Sequence, residues 1–469
     1  MKTASPAVSS LATPALNGNL SEDLSGVFVL KPMLQWGGKS NRKGRKQSLS
    51  LVWLSFAGRK RWSVSIWSRN RGEWLPLRVR EVDSFAWEGA VCHRLEAMIE
   101  FESDADVAYR LEIDGARAFE SHAKFPIGAS KQRVVLFGDF ADGTAGAGNI
   151  AECALGLAPD MVLVSGDIVY KSGLLREYKM HYEPVFNGPS SGVPLARTTV
   201  VVAAAGNHDV RLPKDADKVK PVSDEDAFGF FRIFRQANNG PRLSVSGLRD
   251  MIGENAEGLE LLRCIGPDFV RRSNFALYQG NVQWTILDAN KYMDWREPEL
   301  QKWLRTTLSR GRNYKWRFVS FHQPGFNGDA KYRSDRRMRV LAPIFEEFGV
   351  QVVFSGHCHF YQRHRPIRYR LNDDATGRKR NPHGTVTVDE QFDGMTNCQP
   401  QGVIYIVSGA GGSLQEPDVR PSNLEQESYS LKVCDDRNSL TVLDFEEASV
   451  TVRQLTTDGQ EVDRFMLRA

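Results

Sequence analysis

The chain has 469 residues, of which 41% are hydrophobic and 25% charged, with a formal net charge of +4. That composition suits a globular protein of two or three domains with a large core, and so small a charge argues neither for nor against nucleic acid. No run approaches a membrane span. The six cysteines (Cys92, Cys153, Cys264, Cys358, Cys398 and Cys434) form no CxxC pair. Their scatter argues against a zinc ribbon and fits reduced thiols better than a disulfide framework.

Residues 1–24 are rich in Ser, Ala, Pro and Asn and read as a disordered leader. They lack the continuous apolar core of a signal peptide, which favours a cytoplasmic location; a secreted or periplasmic one stays open if a signal has been trimmed. Residues 25–128 show period-two alternation, as in Trp62, Val64 and Ile66 and again in Val107, Tyr109 and Leu111. This predicts an all-β sandwich. Its charge is uneven: residues 31–80 carry thirteen Lys/Arg against one acid, Glu73, whereas 81–125 carry eleven Asp/Glu against four Lys/Arg. Either the basic half is a face for a polyanion, or basic and acidic strands pair and neutralise each other, which is the common arrangement. The tract from Lys39 to Lys46 reads as a solvated hairpin tip.

From residue 129 onward the pattern alternates strand and helix. Strands are predicted at Arg133–Phe137, Met161–Ser165, Thr199–Ala204, Asn281–Asp288, Trp316–Ser320, Gln351–Phe354 and Gly402–Val407. Helices are predicted at Asn149–Leu157, Leu174–Val185, Glu297–Ser309 and Met338–Phe348. Such a succession gives a largely parallel sheet with crossover helices. The irregular stretch from Asp209 to Asn274 reads as an insertion over the site, a possible lid. Three C-terminal strands at Leu440–Phe445, Val450–Leu455 and Glu461–Leu467 look antiparallel and are expected to extend a second sheet.

Five of these strands end in the same way: an apolar run, a Gly or Ser, then a metal-binding side chain. The endings are Gly138-Asp139, Gly166-Asp167-Ile168-Val169-Tyr170, Gly206-Asn207-His208-Asp209, Phe321-His322 and Gly356-His357-Cys358-His359. Open α/β sheets carry their sites at this edge. Asp139, Asp167, Tyr170, Asn207, His322, His357 and His359 are enough ligands for two open-sided cations. Two cations neutralise an anionic phosphate ester and lower the pKa of a bound water. His208 is placed to protonate a leaving oxygen, and Asp209 to orient that imidazole. Taken singly, an Asn/Asp-rich turn or a structural histidine explains each motif; four of the nine histidines in these motifs argue against coincidence. Cys358 reads as a small apolar packing residue.

The ordered set GD, GDxxY, GNHD, xxxH and GHxH resembles the calcineurin-like metallophosphoesterase superfamily, and within it the purple acid phosphatases. The resemblance covers about 131–469, and the preceding sandwich is similar to the fibronectin-III-like domain of many purple acid phosphatases. It implies an α/β, αββα four-layer catalytic domain over 129–469 after an all-β sandwich over 25–128. Most of the superfamily opens with Asp-x-His; this chain has Asp139-Phe140-Ala141 and carries Tyr170 instead, the exchange seen in purple acid phosphatases. By resemblance, Asp139, Asp167, Tyr170 and His359 hold Fe(III), Asp167 bridges, and Asn207, His322 and His357 hold a divalent Fe, Zn or Mn. The alternative for Tyr170 is a packing role beside an ordinary Mn or Zn pair. The implied reaction is hydrolysis of a phosphate monoester, on a small molecule or phosphoprotein, by a metal-bound hydroxide, with His208 near the substrate. Two departures stand out: Ala141 replaces the glycine of GDxG, and the stretch Gly325–Tyr332 lacks the histidines that many relatives use for substrate, leaving Lys331 or Arg333 as substitutes. The alternatives are a phosphodiesterase on the same scaffold, favoured by a wide cleft, or a weakly active protein that binds polyanions through the sandwich.

Overall fold

A computed structural model describes residues 26–37, 47–101, 106–124, 131–188, 192–212, 226–372, 381–414 and 428–469. The expected leader, the tract 39–46 and the expected boundary at 128/129 lie outside the described residues. The strands with the strongest apolar runs form the centre. Met161–Val164 and Val200–Ala203 are buried at every position, as strands covered on both faces are. Met161–Val164 pairs in parallel with Gln132–Phe137 on one side and Val200–Ala203 on the other. A second, seven-stranded sheet has Val282–Ile286, Trp316–Ser320, Val352–Ser355 and Ile404–Ser408 in parallel at its centre.

The two sheets pack face to face. Val134, Leu136 and Leu163 of the first share one apolar cluster with Trp284, Phe318, Phe354 and Ile404 of the second. The opposite faces carry helices: Ala145–Gly156 over the first, with Ile150 and Ala154 buried, and Pro298–Arg310 with Leu300 and Leu304 buried. The result is a helix–sheet–sheet–helix stack, as expected. All parallel strands of both sheets end on one edge, and the five motif endings gather there.

Three features differ from the expectation. First, the C-terminal strands are antiparallel, but they extend the first sheet: Ser439–Phe445 pairs with Gln132–Phe137. Second, the described part of the Asp209–Asn274 stretch is not irregular. It holds helices at Gly229–Ile233, Val245–Ile252, Ala256–Cys264 and Phe269–Ser273. Phe230, Phe231, Ile233 and Phe234 are buried in the core, so the stretch is anchored by apolar burial. Third, the N-terminal strands are not set apart from the rest of the fold. Phe28–Trp36 pairs in parallel with Val200–Ala203, and Gln47–Ser55, Ala90–Phe101 and Val79–Trp87 continue the same ten-stranded sheet. A four-stranded sheet (Glu73–Leu77, Trp62–Ser68, Val107–Ile113, Ala116–Ala123) covers this extension. Trp36, Leu49, Leu51, Trp53 and Tyr109 belong to the same apolar cluster as Leu136 and Trp284. The core of these strands, in which Phe28, Trp62 and Phe119 pack together, is therefore continuous with that of the rest of the fold.

Among the ion pairs of this region, Arg61 with Asp114 joins the basic half to the acidic half. Arg110 meets Glu112 at 3.3 Å, Arg117 meets Glu120 at 2.9 Å and Arg94 meets Glu96 at 3.5 Å, all three within the acidic half. Asp83, on the acidic side, takes Arg232 from the insertion at 3.0 Å. Among the described residues no helix is long and apolar enough to cross a membrane.

One shared core predicts one unfolding event. Calorimetry of the intact protein is expected to give a single transition. Trp53→Ala, at a side chain 1% exposed in that core, should lower its stability by about 3–5 kcal/mol without splitting it. Two separable transitions would show that the N-terminal strands fold independently.

Candidate metal centre

Strand ends supply the ligands, and unusual backbone aims them. Asp139, Asp167 and His357 have φ of 61°, 50° and 71°. Left-handed backbone costs a non-glycine residue about 1–2 kcal/mol and persists where the surroundings dictate it, often at functional sites. Here the surroundings are specific. Asp139 N–H donates to Gly166 O at 3.0 Å, Phe140 N–H to Asp167 O at 2.9 Å, and Ala141 bridges Val169. The first two motif loops thus zip together beyond their strands. Glycine then allows the rest to close in. A Cβ on Gly206 would lie 2.1 Å from Asp167 N and 2.2 Å from its Oδ1, and one on Gly356 would lie 2.5 Å from Asp139 Oδ2.

The seven predicted ligands come together. Tyr170 Oη donates to Asp139 Oδ1 at 3.0 Å, and His359 Nε2 lies 3.3 Å from each of those oxygens. Beside this group, ligand atoms of Asp167, His322 and His357 lie within 4.8 Å of one another. His322 Nε2 is 3.0 Å from Asp167 Oδ2 and 3.9 Å from Asp139 Oδ1, so the two groups adjoin. His322 Nδ1–H donates to Ser165 O at 2.9 Å, which fixes the tautomer and turns Nε2 inward. Asn207 Oδ1 is buried and accepts no hydrogen bond from the described residues. A cation would satisfy it.

His208 Nδ1 lies 2.6 Å from Lys171 O. A carbonyl only accepts, so Nδ1 carries the proton. Asp209 does not orient that ring, contrary to expectation. It is fully buried and accepts from Gly206 N–H at 2.8 Å, Ile168 N–H at 3.0 Å and Tyr178 Oη–H at 2.9 Å. Its position braces the Asn207 loop against the Asp167 loop. Cys358 is buried with Phe360 and Val407, as expected of a packing residue, and all six cysteines are free.

The centre opens into a cleft of about 780 Å³, lined by Asp167, Tyr170, Asn207, His208, His357 and His359. Lys331 and Tyr332 line it as well; Arg333 does not. The Tyr332 ring packs 4.1 Å from the His357 ring. Sequence reasoning missed that ring and also Gly409, where a Cβ would lie 2.8 Å from Asp139 Oδ2. The run Ser408-Gly409-Ala410-Gly411-Gly412 after an apolar strand was its signal.

The electrostatics call for positive charge. Burial raises the Asp167 carboxyl, but His322 and His208 hold it below its usual range. Burial lowers His322, yet Asp167 and Asp139 carry it up to about 9. Burial, then the charge of Asp167, pushes Asp209 up to about 7. Burial, then Asp139, holds Tyr170 as a phenol well above its ordinary range. Left to itself, the centre retains a proton where its carboxylates concentrate charge. The hard O/N donor set and the orphaned Asn207 Oδ1 fit metal ions in its place.

Residues 132–361 match the family model of the calcineurin-like phosphoesterases. An uncharacterized protein of Mycobacterium tuberculosis is 24% identical over 333 residues, 66% of this chain and 56% of the relative. The chain thus spans little more than half the length of that relative. Purple acid phosphatase 18 of Arabidopsis thaliana is 30% identical over 87 residues, 18% of this chain and 20% of that one. In structure, a purple acid phosphatase from yellow lupin (Lupinus luteus) seeds aligns at a TM-score of 0.64 and 17% identity, covering 93% of this chain and 74% of that one. PhoD aligns at 0.51 and 11% identity, covering 97% and 92%. These last two are likenesses of fold.

Metal binding must expel the proton held at His322. The sign follows: below the His322 value of about 9 the proton competes, so apparent metal affinity should rise as pH increases from 6 to 9. A climb of roughly tenfold per pH unit per proton released is expected. Calorimetric titration in buffers of differing ionisation enthalpy measures that release, and a pH-independent affinity would contradict this account.

Proposed function

We propose that this chain, whose residues 132–361 form a calcineurin-like phosphoesterase domain, hydrolyses phosphate monoesters at a dinuclear metal centre. The observation that carries this reading is the adjacency of the two ligand groups, Asp139/Tyr170/His359 and Asp167/His322/His357, at one sheet edge. In this reading Asp139, Asp167, Tyr170 and His359 would hold a trivalent iron, and Asp167, Asn207, His322 and His357 would hold a divalent Fe, Zn or Mn. A phenolate is a hard anionic donor and suits Fe(III). When bound, such a pair neutralises the ester oxygens and lowers the pKa of a coordinated water.

The chain's own residues do the rest. His208 lines the cleft with Nδ1–H committed to Lys171 O. Nε2 is left for the substrate, and once protonated it delivers its proton to the leaving oxygen. Asp209 acts one layer behind, holding the Gly206-Asn207 backbone through Gly206 N–H. The free state of all six cysteines supports a reducing compartment. Phosphorylated small molecules and phosphoproteins are the substrates considered. One observation favours a second reading: a cleft of about 780 Å³ has room for a second ester substituent, which suits a diester.

Matched aryl phosphate monoester and diester, offered to metal-reconstituted protein, decide between these. Monoester turnover is expected to prevail, and His322→Ala should lower it by at least about 10²-fold (~3 kcal/mol). Diester preference would promote the second reading, and full activity in His322→Ala would remove the centre from the reaction. For the iron assignment, Tyr170→Phe should abolish any visible charge-transfer band of the Fe(III)-loaded protein. A band that persists would place the phenolate elsewhere.

A further inference from the structure

We infer that Glu177 is a positioning residue for His208, acting through the peptide that joins Lys171 to Ser172. The inference rests on the phosphoesterase reading, in which His208 protonates the leaving oxygen, and deepens it. Two contacts restrain the His208 imidazole. Nδ1–H donates to Lys171 O at 2.6 Å, and the ring packs 4.5 Å from that of Tyr170. Asp209, its neighbour in sequence, is engaged elsewhere. The Lys171 carbonyl therefore decides where Nε2 points, and a buried carboxylate fixes that carbonyl. Glu177, 6% exposed, accepts from Lys171 N–H at 2.7 Å through Oε1. Its Oε2 accepts from Ser172 N–H at 3.1 Å and Leu174 N–H at 3.0 Å. Ser172 N–H and Lys171 C=O belong to one trans peptide, so they point to opposite sides of the chain. Holding the N–H on one side aims the carbonyl at the imidazole on the other.

An ordinary helix cap explains only part of this arrangement. Leu174 N–H on Glu177 is the capping-box bond at the start of the short helix Leu175–Glu177. Lys171 and Ser172 lie ahead of that cap, and a cap has no need of their amides. The residues on either side of Glu177 anchor it to the frame. Arg176 N–H donates to Asp226 Oδ1 at 3.1 Å, and Trp87 Nε1–H donates to the same oxygen at 3.3 Å. Tyr178 Oη–H donates to Asp209 Oδ1 at 2.9 Å. Gly173 seats the loop closely: a Cβ there would lie 2.4 Å from Asp209 O. The hydrogen bonds run in series from carboxylate to peptide to imidazole, and charge at one end strengthens each bond along the line. Glutamine cannot take this place, because one carboxylate oxygen becomes an NH2 that faces an amide donor.

The test compares two aryl monoesters on the intact, metal-loaded protein. The leaving oxygen of phenyl phosphate needs a proton, and that of dinitrophenyl phosphate does not. Glu177→Gln is expected to lower kcat for phenyl phosphate about tenfold, the loss of one hydrogen bond to a charged group. For dinitrophenyl phosphate the loss should stay below about threefold, with KM for both esters hardly moved. In a His208→Ala background the same substitution should lower neither rate further. A purely structural role lowers both esters alike and adds to the effect of His208→Ala; either result would overturn the inference. If Glu177→Gln does not fold, Glu177→Asp, which keeps the charge and shortens its reach, carries the same comparison. A second readout needs no turnover. The His208 Nδ1–H signal in proton NMR of the zinc-loaded protein should move upfield and exchange faster with water in the variant. If the wild-type protein hydrolyses neither ester, a moved signal keeps the positioning and sinks the hydrolase, while an unmoved one sinks both.

Discussion

Three carboxylates, Asp139, Asp167 and Asp209, are packed with almost no solvent at one sheet edge. Burying like charges is among the costliest arrangements a protein can hold, and it persists only where cations or donors compensate. Everything around the edge answers to that demand. His208 N–H donates to Asp167 at 2.7 Å and His357 N–H donates to Asp139 at 2.7 Å, so two histidine-bearing loops also serve as amide donors to the carboxylates. Glycines stand wherever a Cβ would keep an oxygen from its place, at Gly206, Gly356 and Gly409. The left-handed backbone at Asp139, Asp167 and His357 follows from the same demand, because each chain turns abruptly to aim a ligand inward.

The support extends further back than the ligands. Asn290 Nδ2 donates to Gly206 O at 3.2 Å, and Gln323 Nε2 donates to Asn290 Oδ1 at 2.9 Å. Asn290 thus links the loop that carries Asn207 to the residue after His322, across two sheets. Asp288 accepts from Asn290 N–H at 2.9 Å and from Tyr292 Oη–H at 2.7 Å. Buried hydrogen bonds of this kind fix the geometry of the loops they join. The ten-stranded sheet contributes rigidity in another way. With Phe28–Trp36 seated against Val200–Ala203, the strand that delivers Asn207 is interior to its sheet.

The strand ends were legible because polar ligands directly after short, fully apolar runs leave few other interpretations. The roles of neighbours were not. Asp209 follows His208 in sequence, yet its side chain points to Gly206, Ile168 and Tyr178, since adjacent residues in a turn need not face each other. The insertion was unreadable for want of length: a helix such as Gly229–Ile233 is too short to show periodicity, although Ser244 and Asn255 cap their helices in the ordinary way. Sheet order was hidden because pairing between residues 35 and 201 is non-local. One clue was present. Phe28–Trp36 has only two polar side chains, Lys31 and Gln35, fewer than the alternation of a two-layer sandwich strand gives, and it proves buried at eight of nine positions.

The missing histidine of the first motif has a spatial explanation. Ala141 is wholly buried and bridges Val169, and Phe140 beside it packs on Phe137 and Phe186 at 5.1 and 5.2 Å. The loop after Asp139 is therefore committed to the core and sends no donor back to the centre. Tyr170 comes one residue after that bridge, and its phenol reaches Asp139 at 3.0 Å and His359 at 3.3 Å. In the proposed centre, the donor absent from one of the two zipped loops would be supplied by the other. What changes is its chemistry: a phenol that burial holds protonated gives up its proton only to a strongly charged cation. On the proposed assignment, that exchange would make the centre more demanding of high positive charge than an imidazole would, without moving a strand.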